Sequence, residues 1–399
     1  MATTTPSRLD DITSDWLTEV LRSEGAISAD ARIETFERTD LGDGEGFVGD
    51  IARLRLAYSA GTGPATVIAK VPTALALNRA TGKSLGVYER EVRAYDTLLP
   101  DVDAPRPVAH AAIYEATGEE EAFLEQLIKA ERLPLFLLRA LLRKVQTDAD
   151  VPPCILLLED LHESEMGNQV AGCDPARAAI ALGALARLHA SGWGDACPQM
   201  GHWFINGDIV PRLFHAQYRN NRRSFERFAA ERLSEHGMAH VKAIRKTGLA
   251  RITRLHDAAP RTILHGDFRL DNLFFAADGS LAAIIDWQTV NRGPGALDVA
   301  YFIAGSLPPE TPEAVIDDLL STYHGALVTA GVVDYPFERL LADYEEALLL
   351  LLHRMSGLDQ LEFGDDRGVA LMDTWFERFD ARLQRVPLKP NARATPPPV

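Results

Sequence analysis

The sequence predicts an α+β protein of two lobes, strand-rich in its first part and mostly helical in its second. Three observations carry this. Alternating apolar and polar residues recur through the first part, at 33–41, 50–58 and 65–71. From residue 174 onward the apolar spacing is that of helices. The helical part is interrupted by a pair of short strands, 273–275 and 281–285, joined through Asp278-Gly279, a turn-forming dipeptide. The lobes are expected to span 1–160 and 161–386, with a boundary near 159–161. Residues 387–399, rich in proline and small polar residues, are expected to be a disordered tail.

Taken in order, the first element is a helix at 14–24, with Trp16, Leu17, Val20 and Leu21 on one face. Between the first two strands runs a loop in which Gly44, Gly46 and Gly49 spell G-x-G-x-x-G. A helix follows at 84–99, with Tyr88, Glu91, Val92, Tyr95 and Leu98 sharing a face while Glu89 points the other way. Pro105 and Pro107 break the chain before a strand at 109–114. Residues 119–147 read as a helical insertion of two short helices, with Pro134 suited to the first turn of the second. Its stretch 135–142 is strongly apolar, and packing against the core is the expected use. A homodimer contact or a pocket wall is the alternative. Residues 155–158 form a continuous apolar strand.

Composition removes several classes of partner. The chain has 399 residues, 46% of them hydrophobic, so a large core can be buried. Its net charge of −16 argues against nucleic acid and against anionic membranes. Cys154, Cys173 and Cys197 are scattered and odd in number, which points away from a disulfide framework and towards the cytoplasm. The N-terminus lacks an apolar signal region, and the longest apolar run, 347–352, is too short to span a bilayer.

One short stretch carries chemistry. His265-Gly266-Asp267 is followed by Asn272, the hairpin, and Ile284-Ile285-Asp286-Trp287. Phosphoryl transfer needs positioning, charge neutralisation and a group to receive the hydroxyl proton. Asp267 suits the last task, and Asn272 and Asp286 are oxygen ligands suited to Mg²⁺. Asn272 begins one strand of the hairpin and Asp286 ends the other, so the turn brings them together. Upstream, Lys70 ends an apolar strand, and a buried ammonium wants a counter-charge. Glu91 lies on the apolar face of the next helix, and pairing it with Lys70 satisfies both. That leaves the ammonium near nucleotide phosphates. The Gly44–Gly49 loop lies between two strands, which disfavours a dinucleotide fold and favours a hairpin over phosphates. Gly82-Lys83-Ser84 resembles the end of a P-loop, but Leu77 stands where that motif needs its first glycine.

These residues resemble the aminoglycoside phosphotransferase and choline kinase family, relatives of the protein kinases. The glycine-rich segment, 155–161 (ILLLEDL) and 185–193 (LARLHASGW) are most similar to its ecdysteroid-kinase-like branch. The resemblance implies a protein-kinase-like fold with ATP and Mg²⁺ as cofactors. It implies Asp267 as catalytic base, Asn272 and Asp286 on Mg²⁺, and Lys70 on the phosphates, oriented by Glu91. Gly44, Gly46 and Gly49 would cover the phosphates. Backbone at Glu159, Asp160 and Leu161 would meet the adenine. Arg269 stands where protein kinases place a lysine near the transferred phosphate. Asp298 would brace the catalytic loop; a helix cap is its other reading. His265 is expected to pin the loop by packing and His189 to be a satisfied core histidine. The insertion at 119–147 is longer than the usual link, and Trp287-Gln288 stands where protein kinases have Phe-Gly.

Eleven residues separate Asp286 from Asp298, too few to seat a peptide. The acceptor is therefore expected to be a hydroxylated small molecule, held by walls from 202–208, 343–358 and 359–379. Asp359, Glu362, Asp365 and Asp366 could hold an amino sugar, but a solvated loop is the favoured use. Trp203, Trp287, Trp375 and Phe376 could face an apolar alcohol, but ordinary core is favoured. An aminoglycoside-type antibiotic kinase and a non-catalytic nucleotide-binding regulator are the alternatives.

Overall fold

The computed structural model describes residues 4–41, 49–142, 150–356 and 366–388. The first helix, α1 (Ser14–Ser23), starts where the Thr13 hydroxyl accepts the Trp16 amide at 3.1 Å, an N-cap. Its Trp16, Leu17 and Leu21 are buried. They share a core with Leu54, Val67, Ala69 and Leu157 from one face of a five-stranded antiparallel sheet. The strands are β1 (Arg32–Leu41), β2 (Gly49–Ala60), β3 (Thr66–Pro72), β4 (Ala109–Tyr114) and β5 (Cys154–Glu159), in the order β1-β2-β3-β5-β4.

The expected helix at 84–99 is three pieces. α2 (Ala76–Leu85) ends at Gly86, whose φ of 65° is left-handed, and α3 (Val87–Arg93) restarts the chain in a new direction. A π-turn at Ala94–Leu98 completes it. Helix α2 escaped the sequence reading because Leu77 and Leu85 are 65% and 56% exposed, so its apolar residues mark no core-facing stripe.

The insertion forms α4 (Glu119–Ala130) and α5 (Leu135–Leu142). The remaining helices are α6 (Pro175–Ser191), α7 (Pro211–Ala230), α8 (Glu235–Ala258), α9 (Ala296–Ser306), α10 (Glu313–Thr329), α11 (Phe337–Arg354) and α12 (Asp366–Leu383). The insertion docks on α7: the Glu131 carboxylate accepts the Arg212 and Leu213 amides at 2.9 and 2.6 Å, capping that helix. Leu138 is fully buried beside Ala130 and Ala216, whereas Phe136 is 69% exposed. Core packing therefore accounts for one side of the apolar stretch only, because a short helix resting on one neighbour can cover one face.

Short strands β6 (Glu165–Met166), β7 (Arg261–Leu264), β8 (Leu273–Phe275), β9 (Leu281–Ile284) and β10 (Asn291–Pro294) make two small sheets, β6-β8-β9 and β7-β10. The 273–285 hairpin turns at Gly279, with φ 84°. The strands β6, β7 and β10 were not anticipated, since two to four residues are too few to show alternation. No helix among the described residues is long and apolar enough to cross a membrane.

Candidate active site

Strand β7 delivers His265-Gly266-Asp267 at its end. Gly266 has φ 83°, and a Cβ there would lie 2.5 Å from the Thr289 carbonyl, so only glycine fits the turn. The Asp298 carboxylate, buried in the first turn of α9, accepts the His265 amide at 2.7 Å and the Gly266 amide at 3.0 Å. Thus Asp298 supports the loop by hydrogen bonds to its backbone. His265 does more than pack. Its Nε2 donates to the Ile285 carbonyl at 2.9 Å, and its Nδ1 accepts the Asp267 amide at 3.2 Å. These partners select the tautomer with the proton on Nε2. His189 is fully buried between the Tyr323 hydroxyl at 2.7 Å and Asp298 at 3.4 Å.

Asp267 and Asn272 touch. Asn272 Nδ2 donates to the Asp267 carbonyl at 2.9 Å and to Asp267 Oδ2 at 3.1 Å. With its nitrogen spent there, its amide oxygen is the atom it can offer a cation. Arg269 does not stand free to meet a phosphate: Nε donates to Asp267 Oδ2 at 3.3 Å and Nη1 to Asp271 Oδ2 at 2.9 Å. Burial works against its charge, but Asp267, Tyr301 and Asp271 hold its pKa above the usual value.

Asp286 closes the other side of the hairpin. The Ile285 amide donates to the Asn272 carbonyl at 2.9 Å, which ties the two strand ends together. Asp286 is the single non-glycine residue among those described with a positive φ, 64°. Such backbone costs about 1–3 kcal/mol and is kept where surroundings over-determine it. Here Lys70 Nζ donates to Asp286 Oδ1 at 2.8 Å and to Glu91 Oε1 at 2.7 Å, and Gln288 Nε2 meets Asp286 Oδ2 at 3.2 Å. Burial opposes the Lys70 charge, yet Asp286 and Glu91 outweigh it and raise the ammonium's pKa. Burial pushes Glu91 up against the pull of Lys70; it also opposes the Asp286 charge, but there Lys70 prevails and the pKa falls.

The other expected nucleotide contacts are placed unevenly. Gly49 opens β2, and a Cβ there would sit 3.1 Å from Lys70 Cε, so the backbone passes close over the lysine. Gly44 and Gly46 lie outside the described residues. Glu159 ends β5, and its side chain accepts the Val108 amide at 3.0 Å. Both Asp160 carboxylate oxygens are taken by Arg53, at 2.7 and 3.0 Å, and its carbonyl meets His162 Nδ1 at 3.2 Å. Leu161 follows, its carbonyl accepting the Ser164 amide at 2.9 Å.

No three His, Cys, Asp or Glu side chains gather as a metal site among the described residues. The donor set of Asn272 and Asp286 fits Mg²⁺ nonetheless. That ion takes one or two protein oxygens and completes its shell with water and phosphate. Of the aromatic residues considered for an acceptor wall, Trp203, Trp287, Trp375 and Phe376 are all buried. Asp359, Glu362 and Asp365 lie outside the described residues, as does the side chain of Asp366.

Residues 43–331 match the model of the ecdysteroid kinase-like family. The chain belongs to that family. The protein-kinase-like fold expected for it also appears in solved structures. Choline kinase from Cryptosporidium parvum aligns with a TM-score of 0.51 at 9% identity, covering 93% of this chain and 96% of that one. A choline kinase from Streptococcus pneumoniae aligns at 0.45 and 14% identity, over 92% and 98%. An aminoglycoside phosphotransferase from Alicyclobacillus acidocaldarius aligns at 0.41 and 14%, over 90% and 93%. No curated protein matches the sequence.

Three residues of this ecdysteroid kinase-like chain escaped the sequence reading. Gln169 supports the 265–272 loop: its amide donates to Asp271 Oδ1 at 2.8 Å and its Oε1 accepts the Leu270 amide at 2.7 Å. Arg90 donates to the Trp203 and Gln288 carbonyls at 3.3 and 3.1 Å, tying α3 to the segment after Asp286. Burial pulls its pKa down to about 10. Tyr301 donates to Asp267 Oδ1 at 2.7 Å. Glu89 was expected to point away from the core, but it is buried and meets His202 Nε2 at 3.1 Å. Its side of α3 faces the second lobe instead of solvent.

Proposed function

We propose that this chain is an ATP-dependent kinase that moves the γ-phosphoryl group to a hydroxyl of a small molecule. The observation that carries the proposal is the meeting of Lys70 with both Glu91 and Asp286, beside a loop in which Asn272 bonds Asp267. A lysine held between the buried Glu91 and the half-buried Asp286 is prepared for anionic oxygens: when phosphates arrive, it exchanges part of that pairing for them. Asn272 and Asp286 would hold Mg²⁺, which supplies charge neutralisation at the phosphate oxygens when bound. Asp267 receives the acceptor's proton, and Asp298 keeps the loop in place while it does so. Gly49 lets backbone approach the phosphates, and Glu159, Asp160 and Leu161 offer backbone to the adenine.

A small acceptor is favoured over a peptide. The segment between Asp286 and Asp298 is consumed by a 3₁₀ turn at Trp287–Thr289 and by β10, whose four residues pair with β7. Little chain remains to form a peptide platform. The named polar groups are all present and connected, which favours catalysis over a nucleotide-binding regulator. An aminoglycoside is one member of the acceptor class. The test is a mass-spectrometric screen of hydroxylated metabolites and antibiotics with ATP and Mg²⁺. A product heavier by one phosphate is expected. A protein that binds ATP–Mg²⁺ yet phosphorylates nothing in a broad panel would be the regulator instead.

A further inference from the structure

The base is gripped from three sides. A carboxylate offers about four lone-pair directions. Asn272 and Arg269 take those of Asp267 Oδ2, and the Tyr301 hydroxyl takes one on Oδ1 at 2.7 Å. Among the described donors this leaves a single direction, on Oδ1, bordered by the phenol. Tyr301 is also singular in its helix. Every other residue of α9 is buried, and Tyr301 alone is partly exposed. Its ring lies edge-on to Trp375, with centroids 5.1 Å apart, and Trp375 stacks on Phe379 at 6.0 Å. The hydroxyl is therefore wedged against the base by aromatic packing. Burial and the Asp267 charge keep the phenol protonated, so it remains a donor.

We infer that Tyr301 is a specificity-determining positioning residue: it narrows the base to one open direction beside an aromatic wall, so that an alcohol is accepted and water is disfavoured. This rests on the kinase reading above. An alcohol brings carbon to lie against the partly exposed Tyr301 ring, which buried Trp375 backs, and its hydroxyl is steered to the remaining lone pair. Water has no such carbon to hold it there. In the hydrolytic side reaction, a water oxygen bonds the terminal phosphorus, the bond to the bridging oxygen breaks, ADP leaves with that electron pair, and the proton goes to Asp267.

The test is Tyr301→Phe, which keeps the ring and removes the hydroxyl. Phosphate release from ATP–Mg²⁺ without acceptor should rise about five-fold, with ATP affinity unchanged. A second readout needs neither nucleotide nor metal. Carbodiimide with an amine should label Asp267 faster in Tyr301→Phe than in the native protein, as read by peptide mass spectrometry. Trp375→Leu, which loosens the wedge but keeps the hydroxyl, should move both readouts in the same direction. Unchanged or slower phosphate release, or Asp267 labelling equal in both proteins, overturns the inference. Native protein that binds no ATP–Mg²⁺ overturns the kinase reading instead, while the labelling comparison still judges Tyr301.

Discussion

The 265–272 loop and the α4–α5 insertion are held by different mixtures of contact. Around the loop, Asp298, Gln169, His265, Asn272 and Tyr301 make hydrogen bonds of 2.7–3.2 Å to backbone and carboxylate groups. Each bond fixes a direction. The insertion rests on α7 through buried Leu138, Ala130 and Ala216, the Glu131 cap and a reciprocal pair of hydrogen bonds between Arg139 and Asn220 at 2.8 and 3.2 Å, while Phe136 and Leu137 stay exposed. The apolar part of that dock, centred on Leu138, supplies adhesion with little directional demand, and the hydrogen bonds at its rim set where it sits. Polar networks are unforgiving where they are buried, because a lost partner leaves the other group desolvated and unpaired. The loop should therefore respond to single-atom changes, and the Leu138 contact of the insertion to changes of volume.

The largest effect should come from Asp267→Asn, which keeps size and removes the proton acceptor. Turnover should fall by about 10³-fold, with ATP affinity within a few-fold by calorimetry; retention of full turnover would remove Asp267 from the mechanism. Next is Asp298→Ala. It strands two backbone amides that have lost their acceptor and should cost about 3 kcal/mol of stability, measured as a shift in urea midpoint. A smaller loss would mean that the loop keeps its shape without its brace.

Leu138→Ala should weaken docking of the insertion by about 2–3 kcal/mol. Hydrogen exchange should speed up across α4 and α5 and leave the 265–272 amides unchanged. Phe136→Ser, by contrast, should change stability by no more than about 0.5 kcal/mol. Were the two mutations equal, the exposed face would be covered in solution.

Buried histidines of the helical part add a pH dependence. Helix α7 carries His215, which stacks on His353 with centroids 5.5 Å apart. Burial, with His215 and Arg354 nearby, pulls His353 down to about 3, and burial with Arg354 and Arg261 does the same to His256. Both stay neutral in the folded chain while the unfolded chain takes up protons near 6.5. Stability from this source is complete above pH 6.5 and falls as pH drops towards 3. The slope is up to about 1.4 kcal/mol per pH unit for each site. His353→Gln should flatten the change in urea midpoint between pH 7 and 5.

Much of the candidate site is legible in the sequence. Asp267, Asn272 and Asp286 fall within 20 residues of one another, around a hairpin whose turn is written in Asp278-Gly279, so local geometry brings them near. Lys70 and Glu91 were legible because a charge on an apolar stripe demands a partner. Helix α2 and the three-way division of 84–99 were not, since solvent-facing leucines and one left-handed glycine override the helical period. Nor could the chain say that Arg269 would be bound to two carboxylates.

What the sequence alone determined is the two-lobed α+β class, the five strands of the large sheet in chain order, and the hairpin that brings Asn272 and Asp286 together. Short-range pattern and turn chemistry suffice for these. Only the tertiary structure decided which side of α5 is buried, that Gln169 and Arg90 hold the loop and the helix behind Lys70, and that Tyr301 bears on Asp267. The physical reason is the buried surroundings of α9: where almost every face of a helix is packed, periodicity no longer tells which side chain meets the site. That choice belongs to packing between residues far apart in the chain.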